Sequence, residues 1–300
     1  MRIAIDRFLR YLDVERNSSD LTIKCYREDL DMLCYFLEFE DGTLPTPGDV
    51  SPQDLRQFVS AMTESGYARS SISRRLATLR SFYRFCQREG YTQENPAKPL
   101  RNPRKQRSLP HFLTTKEVGQ LIAAPDISTV MGTRDHAVME TMYSAGLRVG
   151  ELVGINQSDL HLDEGLVRVR GKGRKERFAP LGSFAVHALE NWLKRRTLSN
   201  DLQPGPESPI FVNRFGRRIS TRSIGRMLEK YIKQTGLDAR TSPHTLRHSF
   251  ATHLLDRGAE IRSVQELLGH KSLVTTQIYT HLTTTHLKDV YEKAHPLAAH

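Results

Sequence analysis

"HTLRHSFATHLLDRGAEIRSVQELLGHKSLVTTQIYTH", residues 244–281, threads five histidines, three arginines and a tyrosine through an apolar helical pattern. A surface helix keeps titratable groups on its wet face, yet here they interrupt Leu246, Phe250, Leu254, Leu267 and Leu268. Ser242 can cap and Pro243 can take the first helical position, so a helix is expected from His244 to about Gly258. His244 and Arg247 are three apart on it. They therefore share a face beside the helix N-terminus, where backbone amides and the macrodipole favour an anion. The pair reads as a phosphate cradle. A second helix carries Ile261, Val264, Leu267 and Leu268 and stops at Gly269; His270 follows in a turn, and a further helix carries Tyr279. His244 and His248 also stand at the i, i+4 spacing of a zinc helix. No Glu follows His244, and neighbouring arginine would repel a cation. Neither a metal nor a cofactor is expected.

Upstream, "TTKEVGQLIAA" offers Thr114 or Thr115 as the cap of a helix, and another helix is expected over about 132–145. In "GLVRVRGKGRKERFAPL", Val167 and Val169 alternate with Arg168 and Arg170, Gly171 to Gly173 turn, and the chain returns through Phe178 to Pro180. That is a β-hairpin. Arg174, Lys175 and Arg177 beside its tip read as backbone binders or solvated turn charges. Helices are expected over about 183–197 and 221–235, with a short strand at Ile210 to Val212.

Residues 1–92 read as four helices. Ile5, Phe8, Leu9 and Leu12 recur at helical spacing; Ile23, Tyr26, Leu30, Leu33 and Leu37 follow the cap candidates Ser18 and Ser19. Ser51, Pro52 and Asp54 open a third helix with a capping-box variant, and Ile72, Leu76, Leu79, Tyr83 and Cys86 line one face of a fourth. On another face of that helix Arg80, Arg84 and Arg88 recur at i, i+4, i+8. Like charges at that spacing repel, and a phosphate backbone lying along the row would relieve them. Residues 93–110, rich in proline and in basic residues that include Arg104 and Lys105, read as a stiff linker able to strap a polyanion.

The formal net charge of +10 over 300 residues points to nucleic acid as partner. Cys25, Cys34 and Cys86 match no disulfide framework or zinc motif and read as reduced, buried fillers. Charges interrupt every apolar run of the N-terminus, and nowhere do eighteen apolar residues run together. A soluble cytoplasmic protein without membrane contact is expected. The fold class is mainly α with a small antiparallel sheet, a two-domain DNA clamp: a helical domain over 1–92, the linker over 93–110 and a catalytic α+β domain over 111–300.

Four strings, "YSAGLRVGEL", "GKGRKER", "SPHTLRHSFATHLL" and "LLGHKSLVTTQIYTH", resemble in order, identity and spacing those of the tyrosine recombinase (phage integrase) family, in its Xer branch. The resemblance extends over nearly the whole chain. It implies active-site roles for Arg148, Lys172, His244, Arg247, His270 and Tyr279. Tyr279 would attack a DNA phosphate and form a 3′-phosphotyrosyl link, which stores the bond energy for rejoining. A tyrosine pKa near ~10 calls for cationic neighbours or a base to activate it, and this sequence supplies cations. Arg148 and Arg247 have the bidentate forks to hold nonbridging oxygens. Lys172 would protonate the leaving 5′-oxygen; His270 would donate to the phosphate, and His244 would serve as base or donor. Glu151, close after Arg148, is placed to orient an arginine.

The tail "THLTTTHLKDVYEKAHP" is closer to the XerC than to the XerD subfamily. By that resemblance the partners are a double-stranded DNA recombination site, a XerD-like recombinase in a tetramer on two sites, and a DNA translocase of the FtsK type, the task being resolution of chromosome dimers at cell division. Residues after about Leu282 would dock on a neighbouring subunit. Other readings are an integrase or transposon recombinase of the same chemistry, a type IB topoisomerase-like enzyme, and a non-catalytic DNA-binding protein.

Overall fold

Apolar spacing sets the first four helices, α1 (Arg2–Val14), α2 (Asp20–Leu37), α3 (Pro52–Glu64) and α4 (Arg69–Arg88). The computed structural model describes residues 1–103, 111–171, 176–269 and 289–296, grouped in two units, Met1–Ser108 and Leu109–His300. Ser19 Oγ accepts from the Thr22 amide, and Ser51 and Asp54 close a reciprocal capping box at α3. Phe8, Leu30, Leu33, Leu55, Leu76, Leu79, Phe82 and Tyr83 are fully or nearly fully buried between these helices. One buried charge joins α2 to α4: Asp29 accepts from Thr78 Oγ1 at 2.8 Å and pairs with Arg74 and Arg75.

Three expectations for this unit change. Cys34 and Cys86 are buried, but Cys25 is only half-buried because it sits at the margin of the apolar face of α2. The arginine row is not uncompensated: Arg80 donates to Leu100 O at 2.6 Å and to Asn102 Oδ1, while Arg88 lies 4.2 Å over the Tyr11 ring and pairs with Glu89. Arg84 and Arg88 are both exposed. The connector, too, begins inside this unit, since Ala97 and Leu100 are buried in its core and Asn95 donates to Arg80 O. Arg104 and Lys105 lie outside the described residues.

The second unit is built around α6 (Val130–Ser144), which is buried on nearly every side. Against it pack α5 (Thr115–Ile122), α7 (Val149–Val153), α8 (Ser183–Arg195) and α10 (Pro243–Asp256). α9 (Thr221–Thr235) covers α5 and α7, and α11 (Ile261–Leu268) packs on α10. Three strands, β1 (Leu160–His161), β2 (Leu166–Arg170) and β3 (Glu176–Pro180), form an antiparallel sheet in that order. The expected hairpin is β2 paired with β3, with Val169 opposite Arg177. β1 has two residues, too few to show a period. Arg168 and Arg170 both pair at 2.9 Å with Asp159, a carboxylate only 1% exposed. Ile210 to Val212 is not a strand: Val212 makes an isolated bridge to Arg218, the preceding Pro209 makes one to Asn156, and the Ile210 carbonyl accepts from the buried Trp192 indole.

The last described residues, 289–296, return to this unit's own core. Tyr291 shares a 2.6 Å hydrogen bond with Ser144, and its ring stacks on His295 at 4.6 Å. His295 also lies against Tyr143 and Phe250. Burial pushes its imidazole pKa down to about 3, so it is neutral there. This part of the tail buries Tyr291, Ala294 and His295. Among the described residues no helix is long and apolar enough to cross a membrane.

Glu140 on α6 is 5% exposed, and burial raises its pKa to about 7. His136 lies 3.9 Å away, but burial lowers its pKa, so the two are not an ion pair near neutrality. A carboxyl with a raised folded-state pKa binds more protons folded than unfolded, so the stability it contributes is complete below about 4.5 and is lost as pH rises through about 7. Glu140→Gln should therefore raise the melting temperature at pH 8 and change it little at pH 5, read by thermal melts at the two values.

Candidate active site

The site begins where α6 ends. Gly146 has φ +56°, and a Cβ built on it would lie 2.5 Å from the Phe250 ring, so this turn requires a glycine twice over. The turn delivers Arg148 to the N-cap of α7, and Glu151, one turn into that helix, reaches back. Glu151 Oε2 accepts from the Arg148 amide at 3.0 Å, and Oε1 accepts from Arg148 Nη1 at 2.7 Å.

Arg247 comes from the first turns of α10 and is 8% exposed. Its Nη1 donates to Gly146 O at 2.6 Å and stands 3.8 Å from Glu151 Oε2, and its Nη2 donates to Leu268 O. Arg148 Nη1 reaches the same Leu268 carbonyl at 3.4 Å. Two guanidinia thus converge on one carbonyl oxygen at the C-terminal end of α11. The last carbonyls of a helix lack intrahelical partners and carry partial negative charge. Gly269, at φ +64°, ends the helix there.

A third guanidinium lies beneath. Arg177 on β3 is 7% exposed; Nη2 donates to Glu151 Oε2 and Nε to Leu267 O, each at 3.2 Å. Burial alone would raise the Glu151 pKa, but Arg177 and the hydrogen bonds from Arg148 outweigh it and hold the carboxyl below its ordinary range. Burial and the charge of Arg148 bring the Arg247 pKa down to about 10, against the opposing pull of Glu151. It remains protonated at neutral pH. Three cations face one carboxylate in a largely dry pocket, and that surplus of positive charge attracts an anion. Arg148, whose side chain is 41% exposed, gives it a solvent-facing edge.

Of the residues expected to act, the structure brings Arg148 and Arg247 together. His244 is exposed at the second position of α10, one turn before the buried Arg247, so burial divides a pair expected on one face. His248, the other candidate metal ligand, is exposed and meets Phe112 edge to face. Lys172, Arg174, Lys175, His270 and Tyr279 lie outside the described residues. Arg177, expected in solvent or on a DNA backbone, is a buried part of the cluster. A signal for it existed: residues directly opposite on paired strands face the same side, and Arg177 is opposite Val169, which is 1% exposed. The acceptor carbonyls of Gly146, Leu267 and Leu268 had no sequence signal, because every residue has a carbonyl.

The chain and its fold have counterparts among known proteins. Residues 111–286 match the phage integrase family, and residues 5–90 match the phage integrase N-terminal SAM-like domain. The chain belongs to the phage integrase family. It is 44% identical to the tyrosine recombinase XerC of Oceanobacillus iheyensis, over 99% of this chain and 97% of that one. It is 39% identical to the tyrosine recombinase XerD of the same organism, over 99% and 100%. In fold it is similar to the Tn1549 transposon integrase solved in complex with circular intermediate DNA, with a TM-score of 0.72 at 18% identity, covering 94% and 98% of the two chains.

Glu151→Gln keeps the shape of the hub and removes its charge. Breaking a buried pair on one side leaves uncompensated charge and costs about 3 kcal/mol or more. Urea unfolding should show that loss with the far-ultraviolet dichroism of the folded state unchanged.

Proposed function

We propose that the chain is a site-specific tyrosine recombinase in which Arg148, Lys172, His244, Arg247, His270 and Tyr279 form the active site. The observation that carries this reading is the convergence of Arg148 and Arg247 on the Leu268 carbonyl, with Glu151 behind them. A phosphate oxygen has the same demand for paired N–H donors as that carbonyl, with more charge. Arg148 and Arg247 hold the two nonbridging oxygens of the scissile phosphate as charge grows on them in the pentacoordinate transition state.

Tyr279 attacks phosphorus, giving up its proton to His244 as base. The bond from phosphorus to the 5′-oxygen breaks, and Lys172 protonates the departing oxygen. A 3′-phosphotyrosyl ester and a free 5′-hydroxyl result. His270 adds a hydrogen bond to the phosphate. A 5′-hydroxyl from another strand then attacks the ester and restores the tyrosine, so rejoining needs no external energy source.

In this reading residues 1–92 form a DNA-binding domain with the start of 93–110 packed on it, the rest of 93–110 serves as a strap, and 111–300 are the catalytic domain. Arg84, Arg104, Lys105, Arg174 and Lys175 bind the DNA backbone; Arg80 and Arg88 serve the helical unit itself. Identity to XerC and XerD proteins over nearly their full length supports a XerC-like role. The role is exercised in the cytoplasm with a XerD-like partner, in a tetramer on two DNA sites. It resolves chromosome dimers before division, under a DNA translocase of the FtsK type.

The test mixes the protein, or Tyr279→Phe, with nicked suicide duplexes carrying candidate sites and resolves the products on denaturing gels. A covalent band present for the native chain and absent for the variant is expected. Duplex binding with no band, even after a XerD-like partner is added, overturns the reading. Gel-shift affinity should also fall steeply as salt rises, because backbone contacts release counterions; a flat response sinks the two-domain clamp.

A further inference from the structure

Arg177 belongs to a basic hairpin but is used unlike a surface cation. It faces inward with Val169, and its guanidinium joins two separate pieces of the fold. One is Glu151, the carboxylate that holds Arg148 and stands 3.8 Å from Arg247. The other is Leu267 O, the carbonyl next to the one on which those two arginines converge. Gly269 leaves room for it: a Cβ there would lie 3.0 Å from Arg177 Nε and 3.1 Å from Cδ, both tighter than ordinary contact. Burying a guanidinium carries a desolvation cost that an apolar side chain of similar volume would avoid. What Arg177 supplies in return is direction and charge.

We propose that Arg177 is a positioning residue for strand cleavage. Its guanidinium locks the Glu151 carboxylate against the last turn of α11, so that Arg148 and Arg247 present their N–H groups to the scissile phosphate. The inference rests on the assignment of those two arginines as the phosphate clamp. With Arg177 in place the single carboxylate is divided among three cations and claims neither clamp arginine fully. Without it, Glu151 draws Arg148 and Arg247 toward itself, and the end of α11 loses one of the donors that fix it.

Arg177→Met and Arg177→Lys, made in the full chain, test this on suicide duplexes in single turnover. The scissile position carries either phosphate or methylphosphonate, in which a neutral methyl group replaces one nonbridging oxygen. Arg177→Met should bind duplex as the native chain does and cleave the phosphate ~100-fold more slowly, the scale of a misplacement of about 1 Å. Arg177→Lys, which keeps the charge but cannot span both acceptors, should fall between. Both losses should shrink on methylphosphonate, which asks less of the clamp. Equal losses on the two substrates, or undiminished cleavage of phosphate, overturn the inference. Arg148→Ala separates the two levels. If its own loss does not shrink on methylphosphonate, the clamp assignment falls and the inference with it; if it shrinks while that of Arg177→Met does not, the inference alone falls. Should Arg177→Met melt below the assay temperature, Arg177→Lys decides on the same two substrates.

Discussion

A carboxylate that is almost fully buried holds the second unit's functional end together. Glu151 could not stay ionised there alone, because removing a charge from water costs several kcal/mol even after relaxation. The guanidinia of Arg148, Arg177 and Arg247 offset that cost, and they in turn need Glu151 and the end carbonyls of α11. Each arginine arrives from a different element: the N-cap of α7, strand β3 and helix α10. The turn at Gly146, the hairpin register and the packing of α11 on α10 must all be correct before the four groups meet. The fold's local regularities therefore serve one electrostatic arrangement.

Much of the architecture was legible because it depends on local chemistry. Ser51 with Asp54, Thr114 with Glu117 and the Ser242–Pro243 start each carry their own cap, and the spacing of Ile224, Leu228, Tyr231 and Ile232 needs no partner to declare a helix. Short elements were hidden. β1 is too brief for a period, and α7, five residues long, is held by tertiary contacts that propensity does not see. Buried charge was the other gap. Asp29, Asp159 and Arg177 look like surface residues until the partner across the fold is known. In the site, Arg148 and Arg247 were visible through a family resemblance, and Glu151 through its spacing; the role of Arg177 depended on the face β3 turns inward.

On the far side of Gly146 and Phe250 the same unit solves the opposite problem. Tyr143, His253, Tyr291 and His295 are packed ring to ring, and burial lowers the pKa of both imidazoles. There a hydroxyl meets a neutral ring nitrogen, as in the 2.8 Å bond between Tyr143 and His253. Phe250 touches both regions: a side chain at Gly146 would strike it, and its ring lies 5.4 Å from that of His295. A charged pocket and an uncharged aromatic seat for the tail thus share a wall.

The carbonyls of Gly146, Leu267 and Leu268 that hold Arg177 and Arg247 belong to the main chain. No codon change deletes a carbonyl. Random mutation can strip Glu151 of its charge in one step, but it reaches these acceptors only by shifting a helix or a turn. The lineage of this chain can therefore vary the side chains at positions 267 and 268 within apolar limits while the anchorage of its arginines is inherited through backbone geometry.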